Sequence, residues 1–169
     1  MKLTKWYSRL RHARGFGIHS PSAYRLIREV LRPSSRYAYY AYPQLKRIAV
    51  KPYTAAELKL IFRLLAEFQP GSVAVVGSKR RDAMVETVRL AVPSALIVDS
   101  PSDADFVIYG CDATYHGIDS PVAYFSKAQS NTIDECTRRM TEGHIFRSSR
   151  RALIVCRPGL PLQTFNVRF

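Results

Sequence analysis

The chain has 169 residues, with 26 Lys+Arg against 13 Asp+Glu and a formal net charge of +13. That length suits one domain with an appendage and can bury a core without disulfide or metal staples. Hydrophobic residues make up 47%, which excludes bulk disorder, and no apolar run approaches the roughly 18 residues of a membrane span.

The opening MKLTKWYSRLRHARG is basic with no apolar stretch behind it, so it lacks the middle region of a secretory signal and points to the cytoplasm. Leu3 to His12 reads as a short basic helix, broken at Gly15-Phe16-Gly17. Residues 1–56 hold twelve Lys/Arg and one acid, Glu29, a net of +11; residues 57–169 hold fourteen basic and twelve acidic residues, a net of +2. Seven of the ten tyrosines also lie in the first segment. The expected organisation is a basic, tyrosine-rich helical extension over 1–53 and a nearly neutral body over 54–169.

Ser20 before Pro21 is an N-cap followed by proline at the first helical position. Tyr24, Ile27, Val30 and Leu31 then share a helical face, and Pro33-Ser34-Ser35 ends the element. Tyr37 to Tyr42 is aromatic and gives no periodicity. Thr54 and Glu57 have capping-box spacing and open a helix with Leu58, Ile61, Leu64, Leu65 and Phe68 on one stripe, stopped by Gln69-Pro70-Gly71.

Val73 to Gly77 is a short apolar run ending in glycine, as in a strand buried on both faces of a parallel sheet. A helix follows over Arg81 to Ala91. Ala95 to Asp99 and Phe106 to Tyr109 are two more such strands. Ser120-Pro121 repeats the cap-plus-proline signature of a helix start, and a helix is expected over Ile133 to Met140. Ala152 to Cys156 is a fourth strand. Thr164 to Phe169 alternates as a closing strand, antiparallel to the fourth across the Arg157-Pro158-Gly159 turn. The three cysteines, Cys111, Cys136 and Cys156, form no CxxC pair and suggest neither a disulfide framework nor zinc. The histidines have no ligand spacing, so no metal is expected.

Helices alternating with apolar strands imply an α/β fold with a mainly parallel sheet and helices on both faces. Ligands of such sheets bind beyond the carboxyl ends of the strands. Gly77 ends the first strand, and Asp99 ends the second 22 residues later. An acid about 20 residues after the first glycine is the usual acceptor for ribose hydroxyls. Gly77, Ser78 and Asp99 are therefore the candidate cofactor-binding residues. Lys79, Arg80 and Arg81 open a helix at the same edge and are candidate anion ligands, since free helical N–H groups favour phosphate there. Asp112 and His116 are candidate catalytic residues at the substrate edge, as a polar pair able to serve as a general base.

Residues 54–112 resemble the N-terminal half of class I S-adenosylmethionine-dependent methyltransferases. Val73-Ala-Val-Val-Gly77 is similar to the family's first motif and Ala95-Leu-Ile-Val-Asp99 to its second strand. Asp105-Phe-Val-Ile-Tyr-Gly-Cys-Asp112 resembles the later segment often written DFVFIDGNH. Arg14-Gly-Phe-Gly-Ile-His-Ser-Pro21, Tyr39-Tyr40-Ala41-Tyr42 and Leu160 to Phe169 resemble the two ends of a bacterial subgroup. The resemblance implies a shortened Rossmann-like methyltransferase fold, a mainly parallel sheet with a C-terminal antiparallel pair, preceded by a helical extension. It implies S-adenosylmethionine as cofactor, an unidentified methyl acceptor, and an extension that caps the substrate side.

The chain departs from the family's pattern at the cofactor motif. Val75 stands where an acid orients the cofactor, Lys79 and Arg81 stand where glycines give it room, and Gly110 replaces an acid. The stretch after Tyr124 reads as short by one strand–helix unit. These departures leave a second function open: a non-catalytic module that holds a polyanion (RNA, DNA or phosphate) through Lys79–Arg81 and the basics of residues 1–53. A third is an oligomer that completes the shortened sheet. If Lys79 and Arg81 fill the crevice beside Asp99, methyl transfer from this cofactor is disfavoured.

Overall fold

The computed structural model describes residues 20–32, 40–77, 79–115, 117–128 and 130–168. The expected helix over Leu3–His12, its Gly15–Gly17 break and the Pro33–Ser35 stop lie outside the described residues.

Ser20 caps the first described helix: its Oγ accepts the Ala23 N–H at 3.4 Å, with Pro21 at the first position of α1 (Pro21–Arg25). The helix continues as a π-helical stretch over Leu26–Leu31, in which the Arg32 N–H reaches back to the Ile27 carbonyl at 3.0 Å. Leu26, Ile27, Val30 and Leu31 are buried, whereas Tyr24, expected on the same face, is exposed. Tyr40 and Ala41, from the aromatic stretch that gave no periodicity, lead into a helix, α2 (Tyr42–Ile48), entered at Pro43 and anchored by Leu45, while Tyr37–Tyr39 lie outside the described residues.

The capping-box helix is α3 (Ala55–Phe68), with the Thr54 Oγ1 accepting the Glu57 N–H at 3.3 Å. Gln69 closes it in the left-handed region. Leu58, Ile61, Leu64 and Leu65 are fully buried, each worth about 1.5–3 kcal/mol of transfer free energy. Phe68, at the end of the stripe, is half-buried and packs on Phe106 with ring centroids 5.9 Å apart.

Seven strands form one sheet in the order β2-β1-β3-β4-β6-β5-β7. They are β1 (Ser72–Val76), β2 (Leu96–Val98), β3 (Phe106–Tyr109), β4 (Val122–Phe125), β5 (His144–Arg147), β6 (Ala152–Val155) and β7 (Gln163–Asn166). β6 is antiparallel to β4 and β5; every other pairing is parallel. The architecture is α/β, compatible with a Rossmann-like fold. Helix α4 (Arg81–Ala91) joins β1 to β2, and α5 (Ser130–Thr137) follows β4.

Four expectations need correction. Ser120-Pro121 opens strand β4, not a helix: Val122–Phe125 is wholly buried, and proline fits the entry to a strand. The helix expected over Ile133–Met140 begins and ends earlier, at Ser130 and Thr137. The expected closing pair is not a pair. β5 (His144–Arg147), unseen in the sequence, lies between β6 and β7, and β7 runs parallel to it. Finally, the stretch after Tyr124 carries a full α5–β5–β6–β7 series. The short connection is β2 to β3, where residues 99–105 hold only a 3-10 turn, Pro101–Asp103. Parallel crossovers usually take a dozen residues or more. This one succeeds because β2 pairs only with Ser72–Ala74 and β3 starts beside Val73, so the chain retreats by about one residue of register.

One sheet face (Val73, Val75, Phe106, Ile108, Val122 and Tyr124) packs in a single cluster with α3, α4 and the buried residues of α1 and α2. The described part of the extension therefore shares its core with the body. Polar ties add to this: Arg63 Nε donates to the Val30 carbonyl at 2.8 Å, Tyr40 Oη to the Leu90 carbonyl at 2.7 Å, and Arg25 pairs with Glu67. The other face (Ala74, Val107, Tyr109, Ala123 and Phe125) packs with Ile133 of α5. At the amino end of the sheet, Asp105 Oδ2 accepts from the Gly71 and Ser72 N–H groups at 3.0 and 2.9 Å. No helix among the described residues is long and apolar enough to cross a membrane.

Candidate functional site

The chain turns to opposite sides of β1 on its way to β2 and β3, so the carboxyl ends of β1 and β3 form the switch point where such sheets take ligands. Gly77 and Gly110 lie there. Gly77 adopts φ +109, a backbone that side chains avoid. A Cβ on it would stand 2.8 Å from Asp112 Oδ1, and Asp112 Oδ2 accepts the Lys79 N–H at 3.1 Å. Asp112 thus folds back onto the β1 loop. It takes up the glycine's free side and an amide that an anion would otherwise use.

Gly110 is closed in the same way. A Cβ there would meet Tyr53 Oη at 2.8 Å. That hydroxyl accepts the Cys111 N–H at 3.1 Å and lies 3.6 Å from Cys111 Sγ. Burial first, then the Cys111 thiol nearby, raises the Tyr53 pKa far above the ordinary phenol value.

Asp99 is exposed at the end of β2, with Arg81 Nη2 3.5 Å from its Oδ1. Arg81 Nε also donates to the Val75 carbonyl at 3.4 Å. Arg81 therefore lies along the crevice beside Asp99, while Lys79 is exposed. Arg80 holds a left-handed backbone at the start of α4 and pairs with Asp82 at 2.9 Å. Two of the three candidate anion ligands are thus already ion-paired. Ser78 and His116 lie outside the described residues. The structure brings Gly77, Lys79 and Asp112 together and pairs Arg81 with Asp99.

S-adenosylmethionine at this edge needs room against Gly77 and a carboxylate able to accept ribose hydroxyls. Asp112 occupies the first, and Arg81 engages the second. In this arrangement the residues present do not fit the cofactor. Among the described residues no group of three His, Cys, Asp or Glu side chains gathers as a metal site.

Sequence reasoning missed two features of this edge. The first is Glu57. Its spacing from Thr54 reads as a cap, but its side chain turns inward and is fully buried. Ser126 Oγ donates to Glu57 Oε1 at 2.5 Å and Tyr124 Oη at 3.4 Å, with Arg151 Nε 3.5 Å away. The Tyr124 phenol is pushed well up, by burial first and then by the Glu57 charge. Glu57 so ties α3 to β4 and β6. The only sequence signal was an acid among α3's apolar positions.

The second is a cleft of about 810 Å³ between the loop after β3 and α5, lined by Tyr115, Ile118, Cys136 and Met140 among others. Its first lining residue, Ala113, follows Asp112 directly. Tyr115 stacks on Phe125 at 5.3 Å, and Phe125 on Tyr109 at 4.7 Å. Burial raises the pKa of Tyr115 and, with Glu135, that of the Cys136 thiol. Both groups stay protonated at neutral pH.

Comparison of the chain with protein-family models, with curated proteins and with solved structures gave no match.

Proposed function

We propose that this chain is a non-catalytic binding module on a methyltransferase-like fold, and that its ligand is a polyanion, RNA or DNA, held by the basic N-terminal helices. The observation that carries the reading is the disposition of their cations. Arg28, Lys46 and Arg47, with Lys51 in the turn that follows α2, are exposed, and none has an acidic partner among the described residues. The apolar side chains of the same helices are spent on the core. A surface of unpaired cations attracts phosphate backbones without regard to sequence.

The filled switch point supports the non-catalytic half of the reading. The alternative is an S-adenosylmethionine-dependent methyltransferase acting on an unidentified acceptor. It requires Asp112 and Arg81 to swing away together, at the loss of the Lys79 N–H bond and the Arg81 contacts.

Fluorescence polarisation with a labelled single-stranded RNA and a DNA duplex tests the proposal. Four phosphate contacts give a log–log salt slope of roughly −3 to −4 for the duplex. Lys46→Glu/Arg47→Glu should cut that slope and weaken binding at low salt. Absence of binding at low salt overturns the polyanion reading. Heat on titration with S-adenosylmethionine would favour the alternative.

A further inference from the structure

The cleft beside α5 has no part in the polyanion reading and stands on separate observations. Its volume of about 810 Å³ lies in the range of small-molecule sites, roughly 300–1,000 Å³. Its floor is rigid. Tyr115, Phe125 and Tyr109 form a packed three-ring cluster, and Tyr109 Oη donates to the Gly117 carbonyl at 3.3 Å, pinning the loop above it. Such a floor favours a flat ring laid against Tyr115, with Ile118 and Met140 as apolar walls.

The polar lining limits what else the ligand carries. Arg138 and Arg139 line the cleft just past the carboxyl end of α5, and neither has an ion-pair partner among the described residues. Unpaired guanidinium groups suit a carboxylate or a phosphate, which they can grip through two N–H groups at once. Asp119 and Glu135 line the same cleft and also lack ion-pair partners among the described residues. They accept hydrogen bonds from amine or hydroxyl groups and repel a ligand with charge spread along its length.

We propose that this cleft binds a small planar aromatic molecule bearing one carboxylate or phosphate group: the ring lies against Tyr115, the anion meets Arg138 and Arg139, and polar hydrogens face Asp119 and Glu135. The protonated Cys136 thiol lines the site as a soft apolar group and forms no bond to the ligand.

Calorimetry on the full chain with indole-3-acetate and with adenosine monophosphate tests this and separates the carboxylate source from the phosphate source. At least one should bind with one-to-one stoichiometry and slow the alkylation of Cys136. Arg138→Glu/Arg139→Glu, at an exposed helix end, should weaken that binding at least about tenfold, as should Ile118→Trp, which puts a bulkier wall into the cleft. Lys46→Glu/Arg47→Glu should leave it unchanged while impairing nucleic-acid binding, so the two proposals fail separately. No binding of either compound at millimolar concentration overturns the site. So does binding that survives both cleft variants with the fold intact by circular dichroism.

Discussion

Asp112 fills the side of Gly77 that a side chain would occupy, with Oδ1 2.8 Å from the position of a Cβ. The two residues should therefore be energetically coupled. Gly77→Ala alone meets both the carboxylate and the φ of +109, and should cost about 2–3 kcal/mol. Asp112→Ala alone gives up the Lys79 N–H bond at about 1 kcal/mol. In the double variant the clash is gone, so the summed cost should fall short of additivity by about 1 kcal/mol in denaturant titrations. Strict additivity would mean the carboxylate does not sit against the glycine.

Glu57 and Ser126 make a second coupled pair, buried where α3 meets β4. Glu57→Ala strips Arg151 of an ion-pair partner and leaves two hydroxyls without their acceptor. The expected loss is about 3–5 kcal/mol, a large share of a domain's stability. Ser126→Ala should cost nearer 1–2 kcal/mol. Chemical denaturation of both variants checks the ranking; equal, small losses would show that Glu57 is not held by this network.

His144 gives the fold a pH dependence. It is buried with its ring edge-on to Phe165 and Phe146, and burial lowers its pKa below the ordinary 6.5. The unfolded chain then binds more protons than the folded one as pH falls below about 6.5. Its contribution is fully present above that pH and is lost on acidification. Thermal melts between pH 7.5 and 5 should show a steeper decline for the native chain than for His144→Phe. Parallel curves would remove His144 as the cause.

Gly143 should tolerate no substitution. It has φ +111, and a Cβ would lie 2.3 Å from the Val155 carbonyl oxygen, which is backbone and cannot swing aside. Its own N–H and carbonyl bridge Leu160 and Gln163. Gly143→Ala should cost at least about 2–3 kcal/mol, read as a fall in melting temperature. A neutral effect would mean that the turn into β5 is looser than described.

The sequence made the first half of the sheet legible because its elements are governed by local rules. Thr54 caps, Arg81–Ala91 has the helical period, and Val73–Val76 and Phe106–Tyr109 are too uniformly apolar for anything but buried strands. The second half depended on partners. Val122–Phe125 carries a helix-start signature and becomes a strand because β3 and β6 flank it. His144–Arg147 is four residues long and has no pattern of its own until β6 and β7 pair with it. At the site, spacing singled out Gly77 and Asp99, and the family resemblance pointed to Asp112. It could not reveal that Asp112 folds back onto Gly77 or that Arg81 reaches Asp99, since those depend on rotamers. Glu57 was visible only as a cap, because an acid three residues after a threonine reads the same whether it points out or in.

The connection from β2 to β3 also bears on how the molecule meets its neighbours in solution. By holding β2 to three residues, it leaves this end of the sheet with a very short run of unpaired backbone N–H and carbonyl groups, although the Leu96 side chain there is well exposed. A brief border is a poor template for another chain's strand. A connection this short thus guards this edge of the sheet against edge-to-edge aggregation.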